Sequence, residues 1–225
     1  MTFSTRIIQG PVGRLAATTA GRGGLPVLFV HGIRGDRTQW VAPQAHLGQL
    51  TVSFDPRGLG ESAPDAAGRY HFQDFAEDVG AVADGLGLKS FVLVGHGFGC
   101  VVAGEYAANH PGRVAGLVLA EPEESEMDLR DRSPEEHFSR YPGPCLALLA
   151  ADMLARFGPM SWLLRLPHPR VKVLQGVSYG LMLDAPEVFS TALDEFLDEV
   201  EERVALDDMS PPGPTDATGA MTLVY

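Results

Sequence analysis

Phe91-Val-Leu-Val-Gly95-His96-Gly97-Phe98-Gly99-Cys100 is the stretch that decides the fold. Its apolar residues predict a buried strand, its glycines a sharp turn, and the residues from Phe98 onward the start of a helix. The glycine spacing matches G-x-S-x-G, a strained strand-to-helix turn that raises a serine hydroxyl above a sheet. Gly97 occupies the serine position. Because glycine has no side chain, it can neither attack a carbonyl carbon nor exchange a proton.

Four further segments occur in a characteristic order along the chain. They are Pro26-Val-Leu-Phe-Val-His31-Gly32, Val52-Ser-Phe-Asp55-Pro-Arg57-Gly58-Leu-Gly60-Glu-Ser62, Ala108-Asn-His-Pro111-Gly-Arg-Val114 and Val177-Ser-Tyr179-Gly-Leu-Met-Leu-Asp184-Ala-Pro186-Glu187. Together with the glycine turn they resemble the α/β-hydrolase superfamily, over roughly residues 5–203. The resemblance implies an α/β fold: a mostly parallel eight-stranded sheet flanked by helices.

Composition restricts the class of protein. The 225 residues are 45% hydrophobic and 20% charged, which is typical of a globular domain, and their formal net charge is −12. This charge disfavours nucleic acids and anionic membranes as partners. The N-terminus lacks the apolar segment of a signal peptide, and no apolar run reaches the ~20 residues that span a bilayer. Cys100 and Cys145 have no metal-like spacing. We therefore expect a cytoplasmic protein without a metal.

Apolar runs alternate with helical patterns, as in a parallel sheet with crossover helices. A hairpin is predicted over Arg6–Gln9 and Gly13–Thr18. The predicted core strands are Val27–Val30, Thr51–Phe54, Phe91–Val94, Ala115–Leu119, Cys145–Ala150 and Val171–Leu174, and the predicted helices are Phe72–Gly85, Phe98–Asn109 and Pro186–Val204.

We expect one α/β-hydrolase-like domain over residues 1–205 and a flexible tail over residues 206–225. The segment between the sixth and seventh strands is too short for a full cap domain. Met153–His168, which includes Trp162, could form a helix that partly covers a pocket, although core packing is the preferred interpretation.

Hydrolysis in this superfamily requires Ser, then Asp or Glu, then His in chain order. The resemblance places Gly97 at the nucleophile position and Tyr179 at the histidine position. A phenol has a pKa of about 10, so it is not an ordinary general base at neutral pH. Asp152 and Glu121 are alternative acids. Asp152 could equally be a solvent-facing aspartate in a loop. For Glu121, the preferred interpretation is that it is the first residue of an exposed acidic run.

Four other residues have side chains that could replace a triad member or support the site. Cys100 lies near a predicted helix start, which lowers the pKa of a thiol, but a structural role in the core is favoured. His96 has the chemistry of a base, although active relatives carry histidine there without using it catalytically. His31 is expected to support the shape of the loop after the third strand, and His168 to lie on the surface.

The resemblance also implies an oxyanion hole of backbone N–H groups, from Phe98 and from Ile33 or Arg34. Neither donor depends on a serine. The predicted substrate-binding residues are His31, Gly32, Ile33, Arg34, Phe98 and Trp162. With Gly97 in place, these donors and the positive end of the helix would still attract a carbonyl oxygen or a small anion. Tyr179 could add a hydrogen bond or merely fill the space of the imidazole.

The sequence is compatible with three functions. The first is a non-hydrolytic enzyme that promotes proton transfer, elimination, addition or cyclisation on a small carbonyl compound. The second is a ligand- or partner-binding pseudo-hydrolase. The third is an esterase, lactonase or C–C hydrolase in a nucleophile-inactivated form. The sequence contains no nucleotide or flavin motif, so no cofactor is expected, and a monomer and a homodimer are equally compatible.

Overall fold

The computed structural model of the protein describes residues 1–122, 140–157 and 169–209. The strands in these ranges are β1 (Ser4–Gln9), β2 (Arg14–Ala20), β3 (Val27–Val30), β4 (Thr51–Phe54), β5 (Phe91–His96), β6 (Val114–Ala120), β7 (Cys145–Ala150) and β8 (Pro169–Leu174). The helices are α1 (Val41–His46), α2 (Phe72–Gly85), α3 (Phe98–Asn109), α4 (Ala151–Phe157), α5 (Leu181–Asp184) and α6 (Pro186–Met209), and a 3₁₀ turn at Arg37–Trp40 precedes α1.

All eight strands form one sheet, in the order β1-β2-β4-β3-β5-β6-β7-β8. Strand β2 pairs antiparallel with β1 and with β4, and the six strands from β3 to β8 run parallel. The predicted α/β-hydrolase fold and its initial hairpin are confirmed. Strand β5 is longer than predicted, because it continues to His96, and α6 ends at Met209 rather than Val204.

Helices cover both faces of the sheet, which explains the nearly continuous apolar character of its central strands. On one face, Leu28 and Val30 pack with residues of α2 and α3. On the other, Val27 and Phe29 pack with Trp40 and with residues of α5 and α6. Successive side chains of β3 therefore point alternately into the two hydrophobic cores, one on each face of the sheet.

Two glycines bring the start of α3 against the sheet. A Cβ on Gly99 would collide with the carbonyl oxygen of Val30, and a Cβ on Gly95 would collide with the backbone of Gly99. Gly95 and Gly99 are therefore required for packing, whatever the chemistry of the residue between them. It places Gly97 at the carboxyl edge of the sheet, next to the loop that follows β3.

The described residues contain no cap domain, and none of their helices is long and apolar enough to cross a membrane. The predicted boundary between residues 205 and 206 falls inside α6. Trp162 and His168, and the segment 210–225 that makes up most of the predicted tail, lie outside the described residues.

Candidate active site

The turn at Gly97 has the geometry of a nucleophile elbow without the nucleophile. Its φ of 52° and ψ of −118° lie in a region that glycine tolerates and other residues rarely adopt. The Gly97 N–H donates to the Ala120 carbonyl at 3.0 Å, and the Gly97 carbonyl accepts from Cys100 N–H at 2.9 Å. The turn is thus held by β6 on one side and by the first turn of α3 on the other.

The two predicted oxyanion donors come from neighbouring loops at this edge. Gly35 N–H donates to the Gly32 carbonyl at 2.9 Å, which closes a turn whose middle residues are Ile33 and Arg34. Phe98 is the first residue of α3, and no acceptor within the described ranges binds its backbone N–H. Ile33 and Arg34 therefore lie in a turn and Phe98 at a helix start, and an oxyanion hole made from their N–H groups stays a prediction.

His96 connects the elbow to the loop before α5. Its Nε2 lies 2.9 Å from the Tyr179 carbonyl oxygen, and its Nδ1 lies 3.4 Å from Nε2 of Gln39. A carbonyl oxygen can only accept, so Nε2 carries the proton, and Nδ1 accepts from the Gln39 amide. With its Nε2–H directed at the backbone, His96 is better placed to position the loop than to act as a general base.

Tyr179 is half-buried next to the elbow. Its ring centroid lies 4.6 Å from that of His96, at an interplanar angle of 49°. Asp184 fixes the same loop by accepting from Ser178 N–H at 2.9 Å and from the Ser178 hydroxyl, and these bonds lower the pKa of Asp184. The structure thus brings together three predicted site residues: Tyr179, His96 and Gly97.

Glu121 is buried, so its interpretation as the first residue of an exposed acidic run is wrong. Only 1% of its surface is exposed, and its carboxylate accepts from Ala150 N–H at the end of β7. Glu121 also has a φ of 47°, the one positive value among the non-glycine residues that the structure describes. Asp152, by contrast, is exposed in the first turn of α4. Of the two candidate acids, Glu121 has the more enclosed carboxylate.

Cys100 has the structural role that the sequence favoured. It is fully buried, and its thiol donates to the Ala120 carbonyl at 3.3 Å. Cys145 is also buried, which raises the pKa of its thiol to about 12. Across the described ranges, no group of three His, Cys, Asp or Glu side chains could hold a metal ion.

A polar cluster behind the Gly32–Gly35 turn was not anticipated as a unit. His31 and Asp55 are both fully buried, and Asp55 accepts from Arg37 N–H at 2.7 Å and from the Arg37 guanidinium. The guanidinium also binds Glu61 at 2.5 Å. Burial raises the pKa of Asp55, but hydrogen bonds from His31 and from the backbone N–H groups of Glu61 and Arg37 outweigh it and lower the value to about 2.

The segment after β4 is similarly fixed by its own side chains. Arg57 is fully buried and binds Asp78 of α2 at 2.8 Å. Ser62 accepts from Ala16 N–H at 2.9 Å and donates to the Asp55 carbonyl. This segment therefore anchors the site from beneath.

Comparisons with known proteins give the same fold as the strand order and the elbow described above. A family model described as alpha/beta hydrolase fold matches residues 26–204. The chain belongs to this α/β-hydrolase fold family. Among curated relatives, it is 35% identical over 95 residues to a protein of Caulobacter vibrioides named as carbamate hydrolase RutD, covering 41% of this chain and 35% of that protein. It is 29% identical over 149 residues to human (lyso)-N-acylphosphatidylethanolamine lipase, covering 64% of this chain and 42% of the lipase.

Solved structures show the fold over a larger share of the chain. Proline iminopeptidase from Mycobacterium smegmatis matches with a TM-score of 0.77 and 16% identity, covering 89% of this chain and 100% of that one. A thermophilic esterase from Thermogutta terrifontis matches with a TM-score of 0.72 and 20% identity, covering 88% and 99%. The chain spans about a third of the length of the first curated relatives, so the family assignment covers the fold and not a specific reaction.

Proposed function

We propose that this α/β-hydrolase family member binds a small carbonyl compound at the carboxyl edge of its sheet and polarises it without serine hydrolysis. The Phe98 N–H and the Gly32–Gly35 turn supply the hydrogen bonds to the carbonyl oxygen. Binding of this kind serves a proton transfer, elimination, addition or cyclisation, or a purely ligand-binding role.

The elbow at Gly97 carries this proposal. Its backbone keeps the strained turn, and α3 begins at the next residue, so the N–H of Phe98 lies at the positive end of a helix of 12 residues. This backbone supports donation by the Phe98 N–H where the attacking hydroxyl is absent. A carbonyl oxygen is a suitable occupant because it accepts hydrogen bonds and gains negative charge during reaction.

The residues around the elbow argue against turnover by the usual triad. Gly97 offers no nucleophile, and Tyr179 stands where the resemblance places the general base. His96 does not replace that base, because its Nε2–H is directed at the Tyr179 carbonyl. Tyr179 is the one phenol of these residues that could donate a proton or a hydrogen bond near the ligand.

A second candidate is a hydrolase inactivated at its nucleophile. Glu121 favours it, because a buried carboxylate at the end of β6 occupies an acid position that some superfamily members use. The curated relatives named as hydrolases and lipases are consistent with this origin. This candidate requires a base within reach of residue 97.

Binding is tested by comparing two substitutions at Phe98. Proline is tolerated at the first position of a helix, so Phe98→Pro removes the proposed N–H donor without interrupting α3. Phe98→Ala is the matched control, since it also removes the buried ring but keeps the N–H. Titration with 4-fluoroacetophenone, followed by ¹⁹F NMR, should show affinity about tenfold weaker for the proline variant, as expected for one lost hydrogen bond. Equal affinities, or no binding to the unsubstituted protein, would overturn the proposal.

Hydrolysis is tested with p-nitrophenyl acetate and butyrate. We expect no turnover above background from the parent, from Gly97→Ala or from Gly97→Ser, because the base is missing. Gly97→Ala introduces the same backbone strain as serine without a hydroxyl, so it isolates the nucleophile. If serine alone raised the rate roughly 10³-fold over the alanine variant, a working base would exist and the second candidate would be correct. Activity only in Gly97→Ser combined with Tyr179→His would identify position 179 as the lost base.

A further inference from the structure

A groove separate from the candidate active site lies between α2 and α3. It has a volume of about 540 Å³, which is within the usual range for a small-molecule site. Its lining residues on α3 lie between Glu105 and Asn109, whereas Phe98 begins the helix at the other end. At 1.5 Å per residue, about 10 Å of helix separates Phe98 from the nearest of them, so the groove is not part of the elbow.

Small residues of α2 form one side of the groove. Ala76 and Gly80 are four residues apart and share one face of the helix, and Ala81 lies beside them. Inside a helix, glycine is less favourable than alanine. Apart from its own neighbours in the helix, a Cβ on Gly80 would meet only Cε2 of Tyr106, at 3.4 Å. Packing therefore does not require a glycine here, and the missing side chain leaves an opening next to Tyr106.

The hydroxyl of Tyr106 is a buried polar group without a partner. Tyr106 is 1% exposed, and its hydroxyl makes no hydrogen bond within the described ranges of the chain. Cε2 is bonded to the carbon that carries the hydroxyl, so the opening at Gly80 lies next to this oxygen. Burial raises the pKa of Tyr106, so the hydroxyl keeps its proton at neutral pH and can donate it. An unsatisfied buried hydroxyl destabilises the folded protein, and an acceptor that enters through the opening would remove this cost.

Two neighbouring rings hold Tyr106 in place. His110 stacks on it at a centroid distance of 4.5 Å and an interplanar angle of 18°, and Phe91 at 6.0 Å and 29°. His110 is itself fixed, because its Nδ1 lies 3.2 Å from the Tyr106 carbonyl oxygen. The phenol is therefore not free to turn toward another acceptor, and the acceptor has to come from a ligand.

The carboxylates that line the groove already have partners. Glu77 binds Arg57 at 3.3 Å, and Asp84 binds Arg113 at 2.7 Å. Glu105 accepts from a neighbouring side-chain amide at 2.8 Å. A charged ligand would compete with the two ion pairs, whereas the unmet requirement is a single hydrogen-bond acceptor. The groove therefore suits an uncharged ligand.

We propose that this groove binds a small uncharged compound whose apolar body lies against Ala76, Gly80 and Ala81 and whose hydroxyl or carbonyl oxygen accepts from Tyr106. The apolar body is stabilised by leaving water, and the oxygen satisfies the buried hydroxyl. No residue of the elbow takes part, so the site is independent of the proposed function at the carboxyl edge of the sheet.

The site is tested with 4-fluorophenol and, as the matched probe without a hydroxyl, 4-fluorotoluene. Titration of the full chain followed by ¹⁹F NMR measures the affinities, and ¹H–¹⁵N spectra locate the bound phenol. We expect the phenol to shift the amides of Ala76, Gly80 and Ala81. Absence of binding, or shifts confined to the residues around Gly97, would overturn the proposal.

The hydrogen bond is tested by Tyr106→Phe, which keeps the ring and removes only the hydroxyl. We expect about fivefold weaker affinity for 4-fluorophenol and unchanged affinity for 4-fluorotoluene, because only the phenol has an oxygen to accept the hydrogen bond. The ligand-free variant should unfold at the same temperature as the parent or at a higher one, since the lost hydroxyl has no partner. Equal phenol affinities, or a lower unfolding temperature, would count against the role given to Tyr106.

The opening is tested by Gly80→Ala, which places a methyl group next to the Tyr106 hydroxyl. Alanine is the better helix former, so the unfolding temperature should rise, while the affinity for 4-fluorophenol should be at least threefold weaker. Gly48→Ala is the matched control, because nothing lies within 4 Å of its added Cβ, and it should bind the phenol as the parent does. Unchanged affinity in Gly80→Ala would show that the phenol does not enter beside Gly80, and the proposal would be wrong.

Discussion

At the scale of single residues, His96 shows how one ring can connect two parts of a site. It is 5% exposed, and its donor and acceptor nitrogens meet the Tyr179 carbonyl and the Gln39 amide. Trp40 contacts the ring edge-on at a centroid distance of 6.4 Å. A small residue here would therefore lose both packing and the attachment of the loop.

We predict that His96→Ala lowers the free energy of unfolding by about 2 to 4 kcal/mol, because a buried ring and its hydrogen bonds are lost. His96→Phe keeps the ring volume and should cost only about 1 kcal/mol. In both variants, amide hydrogen exchange at residues 178–180 should accelerate relative to β5. If exchange in His96→Phe matched the parent, the hydrogen bond to Tyr179 would not be what holds the loop.

Some site residues can be predicted from the sequence and others cannot, and the difference has physical reasons. Gly97, Phe98 and Tyr179 are found because a glycine spacing or a motif fixes the local backbone. The burial of Glu121 cannot be predicted in this way, because the residues that follow it are acidic and suggest a solvent-exposed run. Its enclosure depends on Ala150 N–H, which a parallel pairing brings close from a distant part of the chain. Arg37 has no motif of its own, and only the fold places it on Asp55.

At the scale of elements, the loop after β4 is a rigid support. Gly60 adopts a φ of 49°, and a Cβ there would collide with the carboxylate of Asp55. That carboxylate in turn holds Arg37, which lies at the start of the 3₁₀ turn before α1. Gly60 is therefore required by the polar cluster beneath the site.

We predict that Gly60→Ala destabilises the protein by about 3 kcal/mol, because a left-handed backbone costs about 1 to 3 kcal/mol and displacement of Asp55 adds to it. Gly48→Ala is the matched control: nothing lies within 4 Å of the added Cβ, and no positive φ is required. The control should be neutral or slightly stabilising, by up to about 1 kcal/mol. Urea unfolding of the two variants measures the difference, and similar midpoints would contradict the role given to Gly60.

Most elements could be predicted from the sequence because the sheet is covered on both faces. Nearly continuous apolar runs mark β3, β5, β6 and β7, and amphipathic stripes mark α2 and α6. The errors lie at ends, where the pattern weakens. The apolar stripe of α6 stops near Val204, but the helix formers Ala205 and Leu206 follow, and the helix continues to Met209. Strand β5 reaches His96 because pairing with β6 extends to Ala120.

At the scale of the whole molecule, acidic residues outnumber basic ones, and the formal net charge is −12. Individual carboxylates stabilise or destabilise the folded state, depending on whether folding lowers or raises their pKa values. Burial raises the pKa of Asp78, in spite of the hydrogen bonds from Arg57, so the charged form of Asp78 is penalised at neutral pH and acid relieves this cost. Hydrogen bonds lower the pKa values of Asp55 and Asp184 instead, and acid removes that stabilisation.

Asp55 should dominate the acid response, because its pKa falls from 3.8 to about 2 on folding. A lowered pKa contributes stability that is fully present above the unfolded value and is lost as the pH falls through the folded value. The shift corresponds to about 2 kcal/mol, lost between about pH 4 and pH 2. Urea unfolding at pH 5, 4, 3 and 2.5, followed by circular dichroism, measures this slope. Asp55→Asn should unfold at lower urea at pH 5 and lose less stability on acidification than the parent. If Asp55→Asn lost as much stability as the parent between pH 5 and pH 2.5, Asp55 would not be the charged centre of the cluster.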